Sequence, residues 1–426
     1  MKIKTVKKDY EKVAKLEPPR AKKPLKPNIF FRILILVLSV FSIPRGFTFR
    51  KIGMEKLGKK EPCMILMNHS SFVDFKIAAK LLFPRAFNII CTSDGFVGKA
   101  WLMRLIGCIP TKKFVTELQL IKDINYTVKT LKSSVLMYPE ASYSFDGTAT
   151  PIPESLGHLI KKLGVPLVMI RTYGAFSRDP LYNGLQIRKV KVSADLKYTL
   201  SPDEIANMSA SEINEVLKRE FTFDNFKWQQ ENRVKIDEPF RADNLNRVLY
   251  KCPHCLEEGK MEGKGIYLTC HACGKKYELD EYGFMKATEG ETEFDHIPDW
   301  YAFERESVRE ELINGTYKLD AEVDIYMLVD MSCIYKVGEG RLMHTKEGFH
   351  LTGCGGKLDY KQLPLSSYSL YSDYYWYEIG DVICIGTSKA LYYCFPKNSG
   401  DIVAKTRLAA EELYSLISEE KRKNKA

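Results

Sequence analysis

The chain has 426 residues, 45% hydrophobic and 28% charged, with 27 Gly and 19 Pro. That length calls for two to four domains, and that composition excludes a disordered, collagen-like or low-complexity chain. No run of about 20 apolar residues occurs, which excludes a polytopic membrane protein. The formal charge is +10, and residues 1–26 carry most of it, with ten Lys or Arg against three acids. The rest of the chain therefore does not point to nucleic acid as a partner. Eleven Cys, four in two CxxC pairs and the others scattered, fit a reducing compartment in a chain with no secretory signal.

The basic tail, 1–26, leads into a short apolar segment, 27–48. Its uncharged part, 33–43, is about half of what a spanning helix needs. Lys22, Lys23 and Lys26 precede it and Arg45, Arg50 and Lys51 follow it. Basic flanks on both sides fit a helix lying in one leaflet, on the cytoplasmic face of an anionic membrane, as a peripheral or monotopic anchor. The competing reading is a buried core helix behind a solvated tail.

Residues 49–247 read as an α/β domain with a mainly parallel sheet. Strands are expected at 63–67, 87–91, 135–138 and 167–170. Helices are expected at 70–82, 96–106, 116–132 (capped by Thr116) and 157–163. Ser201-Pro-Asp-Glu204 and Ser209-Ala-Ser-Glu212 have the form of capping boxes.

The chemistry concentrates after the first of these strands, in Asn68-His69-Ser70-Ser71-Phe72-Val73-Asp74. A carboxylate five positions after a His can hold one ring nitrogen and leave the other as a general base. With no Ser or Cys nucleophile implied, the group activated is a substrate hydroxyl. Spacing alone equally allows a structural His.

Three further blocks follow in order: Gly107-Cys-Ile-Pro-Thr-Lys112-Lys113, Tyr138-Pro-Glu140-Ala-Ser142-Tyr143-Ser144, and Gly164-Val-Pro166-Leu-Val-Met-Ile. Together with the His block, over about half the chain, they resemble the glycerolipid (lysophosphatidic acid-type) acyltransferase family. Its pattern runs N-H-x4-D, G-x-I-x-x-x-R, F-P-E-G-T-R-S, then a V-P-V-like strand. The resemblance implies O-acyl transfer from a thioester, coenzyme A or acyl carrier protein, to a lysophospholipid acceptor, with no metal in the chemistry. It implies His69 as base and Asp74 as its partner. Asn68, Lys112, Lys113, Glu140, Ser142, Tyr143 and Ser144 fall at the substrate-binding positions. Oxyanion donors are expected among the backbone N–H groups after Pro139 or near Gly107.

The departures bear on substrate. Tyr143 stands where the family has the Arg thought to grip the acceptor phosphate, and a phenol gives one neutral hydrogen bond in place of a bidentate charged contact. Lys113 stands where the family has its other Arg. A phosphate would then fall to Lys112, Lys113 or Arg171.

Residues 248–285 carry Cys252-Pro-His-Cys255 and Cys270-His-Ala-Cys273. Two CxxC knuckles supply four thiolates, which read as a closed structural zinc site in a zinc ribbon, with disulfide or redox chemistry as the competing use. His254 and His271 are expected to point outward. Residues 286–426 read as β-rich, with a helix at 299–312, strands at 324–329, 333–337, 374–379, 382–385 and 391–395, a final helix at 403–419 and a solvated basic tail at 421–425. This region loosely resembles a pleckstrin-homology-like domain. The expectation for the whole is a membrane-surface acyltransferase with a zinc ribbon and a β-rich accessory domain. The rivals are a catalytically weak lipid-binding scaffold and a nucleic-acid-associated protein.

Overall fold

The short apolar runs become strands of a seven-stranded sheet in a computed structural model that describes residues 2–115, 117–397 and 402–424. Its order is Thr48–Ile52, Ser193–Leu200, Leu167–Tyr173, Met64–Met67, Ser134–Met137, Phe87–Thr92, Cys108–Thr111. Every pairing is parallel except that between Leu167–Tyr173 and Ser193–Leu200. Met64–Met67 sits at the centre, and all four of its side chains are fully buried. An unbroken apolar run is what a strand covered on both faces requires, at roughly 1.5–3 kcal/mol per buried side chain. The helices Asp74–Leu82 and Ala100–Leu105 belong to one core and Leu118–Lys129 and Ser155–Leu163 to the other.

Helix bounds depart from the expectation in one informative place. The helix expected from residue 70 starts only at Asp74, because residues 68–73 form the loop that Asp74 organises. Thr116, expected as a cap, lies outside the described residues. Both capping boxes form. The edge strands Thr48–Ile52 and Cys108–Thr111 escaped the sequence reading. The first is exposed throughout, and the second contains Pro110, which an edge strand tolerates.

The four-stranded antiparallel sheet of the Cys-rich segment, Met261–Lys264, Tyr267–Cys270, Lys276–Leu279 and Met285–Ala287, leads into the helix Ile297–Ile313. The β-rich region is one antiparallel sheet. Its order is Leu358–Gln362, Gly348–Gly353, Ile334–Thr345, Leu319–Leu328, Leu391–Pro396, Gly380–Gly386, Tyr371–Trp376, followed by the helix Ile402–Lys423. The strand expected at 374–379 ends at Trp376, where Tyr377 and Glu378 turn with positive φ. The basic segment expected as a tail at 421–425 continues this helix to Lys423; Lys425 lies outside the described residues.

The basic stretch at the amino end is not a free tail. Thr5–Lys7 pairs in parallel with Ile334–Lys336, Val13 is fully buried, and the Lys23 and Leu25 carbonyls accept from Arg104 and Asn88. It thus runs from the β-rich sheet to the α/β sheet. Ile29–Ser42 then forms a helix that packs on Asp74–Leu82. Phe41 is 86% exposed, Phe30 63% and Leu38 59%. No helix among the described residues is long and apolar enough to cross a membrane.

Candidate active site and cysteine cluster

The loop leaving Met64–Met67 folds back on the first carboxylate of the next helix. Asp74 is fully buried, and its Oδ2 accepts from the Ser70 N–H at 2.8 Å and the Ser71 N–H at 2.9 Å. The same oxygen lies 3.2 Å from His69 Nδ1. Two fixed N–H donors aim that oxygen at the ring, so Nδ1 carries the ring proton and Nε2 is left to accept one. Burial holds the His69 imidazole below its ordinary 6.5; Asp74 pulls it up, and the Lys113 charge adds to the depression. A neutral imidazole is the state a general base needs.

The Tyr138–Ser144 loop frames this pair. Glu140 Oε2 accepts from the His69 backbone N–H at 2.9 Å and its Oε1 from the Thr150 N–H at 2.9 Å. Burial pushes the Glu140 carboxyl up to about 7 against those two bonds, which lower it. The rings of Tyr138 and Tyr143 lie 4.2 Å and 4.1 Å from the His69 ring. The imidazole is therefore sandwiched between two phenols. Ala141, where the resembling family has Gly, takes φ +56°; this left-handed conformation costs a non-Gly residue about 1 kcal/mol. Asn68 ties the loop to the neighbouring strand: its Oδ1 accepts from the Thr172 N–H at 2.9 Å, and its Nδ2 donates to Ser70 Oγ at 3.2 Å.

The remaining expected site residues divide. Ser142 is 2% exposed and its hydroxyl has no described partner. Ser144 uses its hydroxyl in a turn, donating to the Thr148 carbonyl at 2.7 Å and accepting from the Gly147 N–H at 2.9 Å. Lys112 is paired with Glu117 at 3.3 Å, and Arg171 donates to the Glu220 carbonyl. Lys113 is the cation whose charge acts on His69. Its Nζ lies 4.1 Å from the Tyr371 ring centroid, and burial pushes it down while Asp373 and Asp94 pull it up. The N–H groups of Ala141, Ser142 and Gly107 already donate to the Tyr138, Glu140 and Arg104 carbonyls.

Sequence reasoning missed several neighbours. Asp179, pushed up to about 6 chiefly by burial, accepts from the Ser71 hydroxyl and pairs with Arg178 at 2.7 Å. Asp94 accepts from the Tyr371 hydroxyl at 2.9 Å and the Trp376 indole at 3.3 Å, joining the α/β sheet to the β-rich one. Arg407, on Ile402–Lys423, donates to the Tyr143 carbonyl at 3.2 Å. No spacing signal connects residues this far apart in the chain. A cavity of about 980 Å³ lies behind the loop, walled in part by Thr150, His158, Arg305 and Arg407.

In the Cys-rich segment the four sulfurs of Cys252, Cys255, Cys270 and Cys273 lie within 4.8 Å of one another. Cys252 and Cys273 are 3.8 Å apart, Cys255 and Cys270 3.7 Å. A tetrahedron with zinc–sulfur bonds near 2.3 Å has edges of about 3.8 Å. The donor set fits zinc, and the separations do not fit disulfides at about 2.05 Å. His254 and His271 face away, onto Glu293 and Glu262.

Residues 48–172 match the family model named Acyltransferase. Human 1-acyl-sn-glycerol-3-phosphate acyltransferase beta is 24% identical over 135 residues, 31% of this chain and 48% of that protein. The match thus spans about half the length of that relative. The crystal structure of the 1-acyl-sn-glycerophosphate acyltransferase PlsC from Thermotoga maritima aligns with 16% identity and a TM-score of 0.35, over 44% of this chain and 77% of that one. Residues 48–172, which hold the His69–Asp74 pair and the Glu140 loop, thus match an acyltransferase family model and are similar to an acyltransferase of the lysophosphatidic acid type.

Proposed function

We propose that the protein moves a fatty acyl group from a thioester, carried by coenzyme A or acyl carrier protein, to the hydroxyl of a lysophospholipid-like acceptor. The observation that carries this reading is the 3.2 Å contact between His69 Nδ1 and a buried Asp74, beside a depressed histidine. His69 Nε2 takes the acceptor's proton as its oxygen attacks the thioester carbonyl; Asp74 stabilises the imidazolium that forms; the proton then leaves with the thiol. Lys113 is the cation best placed to meet an anionic headgroup, since Lys112 and Arg171 are engaged elsewhere. The rival, a lipid-binding scaffold with weak chemistry, is favoured by one observation: Tyr143 covers a face of His69 where the family pattern has a cation.

The deciding assay offers acyl-coenzyme A and acyl carrier protein donors to a panel of lysophospholipids in detergent or liposomes, with wild type and His69→Ala side by side. Product lost in the variant supports the enzyme and names its acceptor. No product from any pair, with the protein folded, favours the scaffold. The pH profile carries a sign. A base with a lowered pKa is already deprotonated below 6.5, so the acid limb of kcat/KM falls below that value and the plateau extends above it. An acid limb above 6.5 excludes the buried, neutral His69 as the base.

The helix Ile29–Ser42 is the proposed membrane contact. At about 1.5 Å per residue its 14 residues span about 21 Å, short of the roughly 30 Å hydrocarbon core. Its exposed Phe30, Leu38 and Phe41 suit insertion into one leaflet, with the basic amino-terminal stretch meeting anionic headgroups. Leu38→Glu with Phe41→Glu removes roughly 1.5–3 kcal/mol of apolar burial per residue. Sedimentation with anionic liposomes is expected to fall by more than tenfold; unchanged binding would rule this helix out.

Zinc on Cys252, Cys255, Cys270 and Cys273 is proposed as structural, since four protein ligands leave no open position. The strand order of the β-rich sheet, closed by Ile402–Lys423, supports the pleckstrin-homology-like reading of 286–426; it assigns no ligand.

A further inference from the structure

Between the carboxyl-terminal helix and the α/β domain runs a chain of contacts, polar as far as the Tyr143 carbonyl, that reaches the His69 ring through the Tyr143 ring. Its outer part is a buried ionic network. Glu411 lies between Arg305, at 2.7 Å, and Arg407, at 3.1 Å, and also accepts from the Ser369 hydroxyl at 2.6 Å. Arg407 is 3% exposed, and its guanidinium carbon lies 4.5 Å from the Phe145 ring centroid. A guanidinium held on one edge by a carboxylate and on one face by an aromatic ring has little rotational freedom, so the direction of its remaining N–H groups is fixed.

One of those groups donates to the Tyr143 carbonyl at 3.2 Å. Tyr143 ends a short, strained turn, in which the Ala141 N–H donates to the Tyr138 carbonyl and the Ser142 N–H to the Glu140 carbonyl, with Ala141 at φ +56°. A turn in this conformation has no helix or sheet ladder to hold it and depends on outside contacts. It carries both Glu140, which holds the His69 backbone, and the Tyr143 ring, which lies 4.1 Å from the imidazole. We propose that Arg407 is a positioning residue for the acyl-transfer base: from the carboxyl-terminal helix it fixes the Tyr143 turn, which holds the His69 ring in place and shields it from water. The inference rests on the acyltransferase reading for its catalytic consequence, but not for its effect on His69 itself.

The groups facing His69 are Asp74 at Nδ1, Glu140 at its backbone, Tyr138 and Tyr143 on its two faces, and Lys113 through its charge. Releasing the Tyr143 turn lets water reach the imidazole and leaves Asp74 in place. The ring's pKa then rises toward the ordinary 6.5.

The test reads His69 directly, by NMR titration of the histidine ring signals of the full-length protein, with His69→Gln to assign the resonance among the seven His. Arg407→Met removes the donor while leaving Glu411 its Arg305 and Ser369 partners. Arg407→Lys keeps the charge beside Glu411 but loses the planar fork that reaches both Glu411 and the Tyr143 carbonyl, and it serves if the Met variant does not fold. The expected result is a higher His69 pKa in both. In the acyl-transfer assay, kcat falls about tenfold, acceptor KM stays within about twofold, and the acid limb moves up. Tyr143→Ala is expected to raise the His69 pKa alone, and adding Arg407→Met to it to change nothing further.

A variant that melts earlier but keeps the wild-type His69 titration, or Tyr143→Ala and Arg407→Met acting additively, overturns the proposal and leaves Arg407 a purely structural residue. Absence of acyl transfer in the wild type would instead sink the enzymatic reading. The titration would still decide whether Arg407 controls the histidine.

Discussion

Acyl transfer by His69→Ala is expected to run about 10³-fold below wild type at saturating donor and acceptor, within the 10²–10⁴ range that a positioned general base contributes. Asp74→Asn is expected to lose about 10²-fold. The amide keeps an oxygen for the Ser70 and Ser71 N–H groups, so the loop stays formed. It has no charge to stabilise an imidazolium, however, and its NH₂ group falls at the Oδ1 position, which is buried with no described partner. On the proposed mechanism the two residues act as one device. The double variant is therefore no slower than His69→Ala alone, and multiplicative losses would mean that Asp74 serves the fold and not the histidine. The measurement is initial rates of lysophospholipid acylation for the four proteins, with circular dichroism to show that each is folded.

The second large effect is on stability. Chelation of the metal, or Cys252→Ser, is expected to destabilise the protein by about 4 kcal/mol or more, since zinc binding in small modules supplies about 10 kcal/mol or more of folding free energy. The reason lies in where the cluster sits. Cys252 and Cys270 are fully buried in the largest core, together with Leu268, Tyr277, Met285 and Trp300. Trp300 donates its indole N–H to the Lys251 carbonyl at 2.9 Å, and Glu304 accepts from the Lys251 N–H at 2.8 Å. The first knuckle thus seats the helix Ile297–Ile313, and that helix carries the Arg305 that pairs with Glu411 and Glu412 on the last helix. Thermal unfolding with and without a zinc chelator, alongside metal content per chain by elemental analysis, tests it. One zinc per chain and a large drop in Tm are expected. Zinc-free protein with the same Tm would return the four thiols to the pool of ordinary core cysteines.

What could be read in advance follows one physical rule: information carried within a few residues was legible. The central strand was visible because both its faces are covered, which leaves an unbroken apolar run at Met64–Met67. The His69–Asp74 pair was visible because the two residues lie in one short loop, five positions apart. The two CxxC knuckles were visible because each places its pair of sulfurs locally, and the capping boxes at Ser201 and Ser209 are closed by a residue three positions away.

The failures follow the same rule. The exposed Thr48–Ile52 strand has no apolar pattern to betray it, and its partner lies about 145 residues away. The amino-terminal basic stretch read as a tail because its composition is that of one. Only a vacant edge on the β-rich sheet, beside Ile334–Lys336, turns Thr5–Lys7 into a strand. Lys112 and Lys113 are adjacent and look equivalent, yet Glu117 takes one, and the other meets Tyr371 from the far end of the chain. By itself the sequence determined the α/β core, the pairing of His69 with Asp74, and the cluster of four thiols, because short-range geometry suffices for each. The tertiary structure alone decided that Tyr138 and Tyr143 flank the His69 ring, and that Arg407, paired with Glu411 beside Arg305, donates to the Tyr143 carbonyl. Those contacts join segments up to 264 residues apart, and only the packing of the whole chain brings them within hydrogen-bond reach.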